Sequence, residues 1–147
     1  MKLLILNGPN LNMLGIREPE IYGNQTYNDL CQLVKAHAAE IGVEAEIRQT
    51  NHEGVLVDWI QEARGKFDGI VLNPAAYTHT SVALLDAVLA AGVPTVEVHI
   101  SDPDQREPFR RISCVRAACV ACVKGKGFAG YLEAMDKLKL IIESINS

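Results

Sequence analysis

Glu97 and His99 lie two positions apart in the run Pro94-Thr95-Val96-Glu97-Val98-His99-Ile100, which reads as a strand, so their side chains share a face. A carboxylate beside an imidazole fixes the ring's tautomer and favours its protonated form, the state needed for a general acid. A core histidine held by a carboxylate for structural reasons has the same pattern. A second pair, Arg17 and Tyr22, falls in the segment 8–25. A tyrosine titrates near 10, so to act as a base near neutral pH its phenolate must be stabilised, by about three units or roughly 4 kcal/mol; a neighbouring arginine has that effect. A loop-anchoring tyrosine and a solvated arginine fit the same residues. Together the pairs could supply an acid and a base for proton-transfer chemistry on a small molecule.

These residues must be positioned by a chain in which apolar runs alternate with helical patterns. Residues 2–7 read as a buried strand, 43–49 as an exposed edge-like strand, 69–73 and 94–100 as further strands, and 114–123 as a final apolar strand. Amphipathic helices are expected over 26–41, with Leu30, Leu33, Val34, Ala38 and Ile41 on one face, and over 54–64. An apolar, largely buried helix is expected over 81–91, and a last helix over 128–145 with Leu132, Met135, Leu138, Leu140, Ile141 and Ile142 supplying its apolar positions. Thr26 or Asn28 and one of the hydroxyls of Thr78-His79-Thr80-Ser81 suit N-caps, and Gly42 and Gly92 suit helix ends. Continuous apolar strands joined by helical crossovers imply an α/β fold with a parallel sheet covered on both faces. Five such units predict a flavodoxin-like, doubly wound, five-stranded sheet of order 2-1-3-4-5. The whole chain, 1–147, reads as a single catalytic domain.

In such a sheet, ligands bind beyond the carboxyl ends of the strands where the strand order reverses. The polar residues past those ends are Asn7, Asn10, Asn73, His99 and Ser101, and Asn10, Asn73 and His99 are expected to converge in one crevice. Turn-forming Asn and Ser are common, but their joint placement at one switch point favours a site. The glycine- and proline-punctuated segment 8–25 reads as a lid over it. His79 sits where the helix after the third strand begins, and among Arg106, Arg110 and Arg111 one binds substrate while the others fit subunit contacts equally well. His37 and His52 read as ordinary surface residues.

The remaining features exclude other classes. The 147 residues carry a net charge of −4, against general nucleic-acid binding. The opening apolar run is too short for a signal peptide or a membrane span. Cys31, Cys114, Cys119 and Cys122 read as reduced, buried thiols of a cytoplasmic protein. Gly125-Lys126-Gly127-Phe128-Ala129-Gly130 fits a dinucleotide fingerprint, but no room remains for the acidic residue expected about 20 positions later; these glycines read as permitting close helix–sheet packing. Cys119-Val120-Ala121-Cys122 fits a redox or zinc motif, but mid-strand its thiols point to opposite faces. No spacing of His, Cys or carboxylates indicates a metal.

Ordered blocks along almost the whole chain resemble type II 3-dehydroquinate dehydratases: Asn7-Gly8-Pro9-Asn10-Leu11-Asn12, Arg17-Glu18-Pro19, Tyr22-Gly23, Gln49-Thr50-Asn51-His52-Glu53-Gly54, Asn73-Pro74, Thr78-His79-Thr80-Ser81, Glu97-Val98-His99-Ile100-Ser101, Arg106-Glu107 and Phe109-Arg110. The resemblance implies a lyase of the shikimate pathway, leading to chorismate and the aromatic amino acids, that converts 3-dehydroquinate to 3-dehydroshikimate by anti elimination through an enolate. It implies Tyr22 as base, Arg17 supporting its phenolate, Asn10 holding the water that stabilises the enolate, and His99 as acid with Glu97 behind it. Asn73, His79, Arg110 and the backbone at Ile100-Ser101 match substrate-binding positions, and Asp86 a position that completes a neighbouring subunit's site. No metal or organic cofactor is expected, and neither nucleic acid nor membrane as partner. The expected assembly is a homododecamer, a tetramer of trimers. Asp102-Pro103 and Pro108 depart from the family's usual residues in the loop after His99. A flavodoxin-like module binding a nucleotide and a scaffolding oligomer with a degenerate site are the competing classes; they predict bound nucleotide and assembly without turnover, respectively.

Overall fold

Residues 3–6 alternate across the sheet: Leu3 and Ile5 enter one apolar core, Leu4 and Leu6 the other, and all four are fully buried. A strand buried on both faces must lie inside a sheet with helices above and below, and this one does. The computed structural model describes residues 1–16, 20 and 24–147. Among them, β1 (Lys2–Asn7), β2 (Glu44–Gln49), β3 (Gly69–Asn73), β4 (Thr95–His99) and β5 (Ala121–Lys124) form one parallel sheet in the order β2-β1-β3-β4-β5. Helices α1 (Tyr27–Ile41) and α4 (Ala129–Asn146) supply one core, and α2 (Glu53–Ala63) and α3 (Val82–Ala91) the other. The expected α/β class and strand order hold, and β2 is the half-exposed edge.

Local chemistry sets the helix ends. Thr26 and Asp29 form a reciprocal capping box at the start of α1, and Ser81 Oγ accepts the Leu84 N–H at the start of α3. Gly42 and Gly92 end these helices in the left-handed conformation.

Several expectations need correction. Residues 114–123 are not one strand: a 3-10 turn at Arg116–Ala118 precedes β5, because the polar groups of Ser113 and Arg116 turn inward to a buried carboxylate. Cys119 therefore lies outside the strand, and the argument that its thiol and that of Cys122 point to opposite faces does not apply. All four cysteines are free and only partly buried. Leu140 is 68% exposed, and α3 has an outward face on which Val82, Asp86 and Leu89 are exposed. His37 is no ordinary surface residue, since its ring is mostly buried and bonds Asp136 at 2.7 Å, joining α1 to α4.

The order reverses between β1 and β3, and the chain leaving each strand is pinned there. Gly8 N–H donates to the Asn73 carbonyl at 2.8 Å. A Cβ at Gly8 would lie 2.6 Å from the Pro74 carbonyl oxygen and 2.9 Å from its carbon. Neither backbone can yield without moving a strand end, so only glycine fits. Gly8→Ala is expected to lower unfolding free energy by about 1–3 kcal/mol, seen as a lower urea midpoint at unchanged slope.

Candidate active site

The loops that diverge from β1 and β3, together with the segment after β4, enclose a cavity of about 690 Å³ that includes space open to solvent. Asn10, Asn73, His79, His99, Ile100, Ser101, Arg106 and Arg110 reach it. The structure thus brings together seven of the expected site residues, and of the three candidate arginines both Arg106 and Arg110 reach the cavity. Glu97 stands behind His99 rather than in the cavity. Asp86 does not line it. Arg17 and Tyr22 lie outside the described residues. Asn7, which ends β1, is 0% exposed and belongs to the protein interior.

Asn7 instead joins a buried hydrogen-bond chain. The Tyr131 hydroxyl of α4 donates to Asn7 Oδ1 at 2.6 Å and accepts from Asn73 Nδ2 at 2.9 Å. Burial holds the Tyr131 phenol protonated, with its pKa above the ordinary value. Asn73 Oδ1 in turn accepts the Ala75 N–H at 3.0 Å. Ala75, at φ 53°, and Asn10, at φ 70°, are the non-glycine residues in the left-handed region among those described, and both line the cavity. Asn10 is steadied there by its N–H bond to Asn51 Oδ1 at 3.0 Å. Such conformations cost about 1–3 kcal/mol for ordinary side chains and persist where the surroundings enforce them.

Opposite, His99 forms the wall. Its Nε2 lies 2.5 Å from Glu97 Oε2, and Nδ1 is the ring nitrogen left for the cavity. Glu97 is fully buried. Its Oε2 also accepts from Thr78 Oγ1 at 2.9 Å, and Ser113 Oγ lies 3.0 and 3.1 Å from the two carboxylate oxygens. Arg116 Nε donates to Oε1 at 3.2 Å. Burial alone would raise the Glu97 pKa; the hydrogen bond and charge of His99, then those of Arg116, outweigh it and bring it from 4.5 down to about 2. Thr78, Ser113 and Arg116 were not foreseen as a set. The only hint was Arg116 itself, an isolated cation within an apolar run.

The remaining wall is held by backbone. Gly125 N–H donates to the carbonyls of His99 and Ser101 at 3.3 and 3.1 Å, and Gly127 N–H to that of Ile100 at 3.0 Å. Both glycines have positive φ, 75° and 61°. These two glycines shape the turn, while Gly130 packs α4 against the sheet as expected, where a Cβ would lie 3.5 Å from the Val98 and Val123 side chains. Asp102 Oδ1 accepts the Asp104 N–H, and Lys124 of β5 pairs with Asp104, fixing the loop that carries Pro103 and Arg106 to the rim. The His79 ring is oriented by the Ile112 carbonyl at 2.7 Å, and Arg110 pairs with Glu107 at 2.5 Å. Among the described residues, no three His, Cys, Asp or Glu side chains are grouped to hold a metal ion, and no helix is long and apolar enough to cross a membrane.

A family model described as dehydroquinase class II matches residues 1–139. The chain is 50% identical over 139 residues to the 3-dehydroquinate dehydratase of Clostridium acetobutylicum, covering 95% of this chain and 96% of that protein. It is 56% identical over 137 residues to that of Corynebacterium glutamicum, covering 93% and 94%. The crystal structure of type II dehydroquinase from Butyrivibrio crossotus superposes with a TM-score of 0.93 at 46% identity, covering 95% of this chain and 97% of that one. The chain belongs to the class II dehydroquinase family.

The Glu97 carboxyl has a folded-state pKa below its unfolded one, so its ionised form stabilises the fold fully above about pH 4.5, and that share is lost as pH falls from there towards 2. Urea unfolding of wild type and Glu97→Gln is expected to show a stability gap that narrows by about 2 kcal/mol between pH 6 and pH 3. A gap independent of pH would contradict the buried, ionised carboxylate.

Proposed function

We propose that the cavity beyond β1, β3 and β4 is where this chain dehydrates 3-dehydroquinate to 3-dehydroshikimate, in the shikimate pathway that leads to chorismate. The chain is a lyase of the dehydroquinase family, and the observation that carries the reading of its site is His99, fixed by the buried Glu97 at the wall of a cavity lined with polar groups.

In this reading the Tyr22 phenolate, stabilised by Arg17, takes the proton alpha to the ketone. The electron pair moves onto the ketone oxygen, and a water held by Asn10 stabilises the enolate. The enolate then collapses, the carbon–oxygen bond beta to the ketone breaks, and its electron pair leaves with the hydroxyl. His99 gives the Nδ1 proton to that oxygen, so water departs and the ring is left neutral. Proton return from Tyr22 to His99 through solvent resets the site. The anti geometry requires base and acid on opposite faces of the ring. Asn73, His79, Arg110 and the backbone at Ile100-Ser101 hold the substrate, with Arg110 the natural partner of its carboxylate. No step calls for a metal or an organic cofactor.

The same reading makes residues 1–147 one catalytic domain working in the cytoplasm as a homododecamer, a tetramer of trimers. Asp86 then enters a neighbouring subunit's cavity. Its exposure on the outward face of α3, beside Val82 and Leu89, supports this role.

Metal-free protein is expected to produce the enone absorbance of 3-dehydroshikimate from 3-dehydroquinate. Tyr22→Phe and His99→Ala should each lower kcat by about a hundredfold or more. Undiminished turnover in either variant would remove that residue from its role. Inactivation by borohydride in the presence of substrate would indicate an imine and overturn the enolate route.

A further inference from the structure

Glu97 is shared. His99 Nε2 takes one carboxylate oxygen at 2.5 Å, and Arg116 Nε takes the other at 3.2 Å. Ser113 Oγ reaches both oxygens and also accepts the Arg116 backbone N–H at 3.2 Å, so the turn that carries Arg116 is tied to the same carboxylate. Arg116 does not line the cavity. It reaches the substrate only through Glu97 and His99.

We propose that Arg116 is a positioning residue that sets the strength of the acid: by neutralising the far oxygen of Glu97, it keeps that carboxylate from retaining the proton of His99, so the imidazolium releases it to the leaving hydroxyl. The proposal rests on the reading of His99 as the acid. When the Nδ1–H bond breaks and the new O–H bond forms, the Nε2 proton stays on the ring and Glu97 remains a carboxylate. With His99 protonated, the buried trio carries one net positive charge; after the transfer it carries none. Arg116 bonded to the far oxygen of Glu97 weakens that carboxylate's hold on the ring proton and so favours the discharge.

The other groups facing the trio do not replace this charge. Cys119 and Cys122 lie against Glu97 and Arg116, but burial pushes the Cys119 thiol up to about 12 and raises that of Cys122, so both are neutral. Lys124, the register partner of His99, is paired with Asp104 and Asp102. In the cavity, His79 is held by the Ile112 carbonyl and Arg110 by Glu107, while Arg106 lies at the rim.

The test is the pH dependence of kcat and KM for the full-length protein. Arg116→Gln keeps a donor for Glu97 and removes the charge. It is expected to lower kcat about fivefold with KM within about twofold, and to move the alkaline limb of kcat up by about one pH unit, because His99 holds its proton longer. Arg116→Lys should recover most of the rate and return the limb. On a Glu97→Gln background, Arg116→Gln should move the limb no further, since the effect travels through the carboxylate. Superimposable profiles for wild type and Arg116→Gln, with His99→Ala inactive, would overturn this inference and leave the acid in place. Full activity in His99→Ala would instead overturn the reading on which it rests.

Discussion

A carboxylate with no access to water has to be surrounded by donors, and Glu97 imposes that requirement on half of the molecule. It occupies a strand position between Val96 and Val98, both fully buried, and faces the opposite side of the sheet from them. An uncompensated ion there would cost several kcal/mol. The donors come from two other segments, Thr78 after β3 and Ser113 and Arg116 before β5, and from His99 on the same strand. The Cys114 N–H to the Thr78 carbonyl, at 2.6 Å, closes the same circle through the backbone. Satisfying one charge therefore dictates the course of the connections after β3 and after β4, which are the connections that shape the cavity. His99 is the member of this network that reaches it.

A second buried network does for the opposite wall what Glu97 does for His99. Asn7 and Asn73 end neighbouring strands, paired in register, and Tyr131 rises from α4 to bridge their side chains. Asn73 has spent its carbonyl oxygen on the Ala75 N–H, and in doing so steadies a left-handed alanine at the cavity edge. Its first contribution to the site is thus architectural, whatever it also offers a ligand. The two networks share a logic: fully satisfied polar groups inside an apolar core permit one arrangement, because every alternative leaves a donor or a charge unmet.

What was legible in the sequence follows from this. Periodicity is a local signal, and it located the five strands and four α-helices named above among the described residues because burial repeats every two or 3.6 residues. The switch point and the crevice followed from topology, and Asn10, Asn73 and His99 do line one cavity there. The misreadings arose where a distant polar partner overrode local pattern. Residues 114–123 look like a strand because their apolar content is high, yet the carboxylate of Glu97 draws Ser113 and Arg116 into a turn. Asn7 and Asn10 follow the same strand, and only the fold separates their roles, with Tyr131, 124 positions away, holding Asn7 in the interior. His37 looks like a surface residue until α4 brings Asp136 beside it. Leu140 and Leu89 look like core residues and face outward; a one-chain pattern cannot distinguish a core face from one that other surfaces cover. Asp86 on that outward face had no meaning in the pattern at all, and entered only through resemblance.

The division of labour between the walls also bears on how an acid can be both fixed and reactive. A histidine hydrogen-bonded to an isolated buried carboxylate would be well oriented and would hold its proton too firmly. A histidine without the carboxylate would be a readier donor with no fixed direction. Sharing the carboxylate between His99 and a second cation satisfies both demands: the 2.5 Å bond sets the ring, and the Arg116 contact at 3.2 Å offsets the charge that would otherwise hold the proton. Arg116 suits this because its guanidinium stays protonated throughout and its side chain is 37% exposed, so it carries charge to a buried group without being fully desolvated itself. The orientation of the proposed acid and the stability of the strand that bears it therefore come from one set of contacts, and a change that weakens either acts on both.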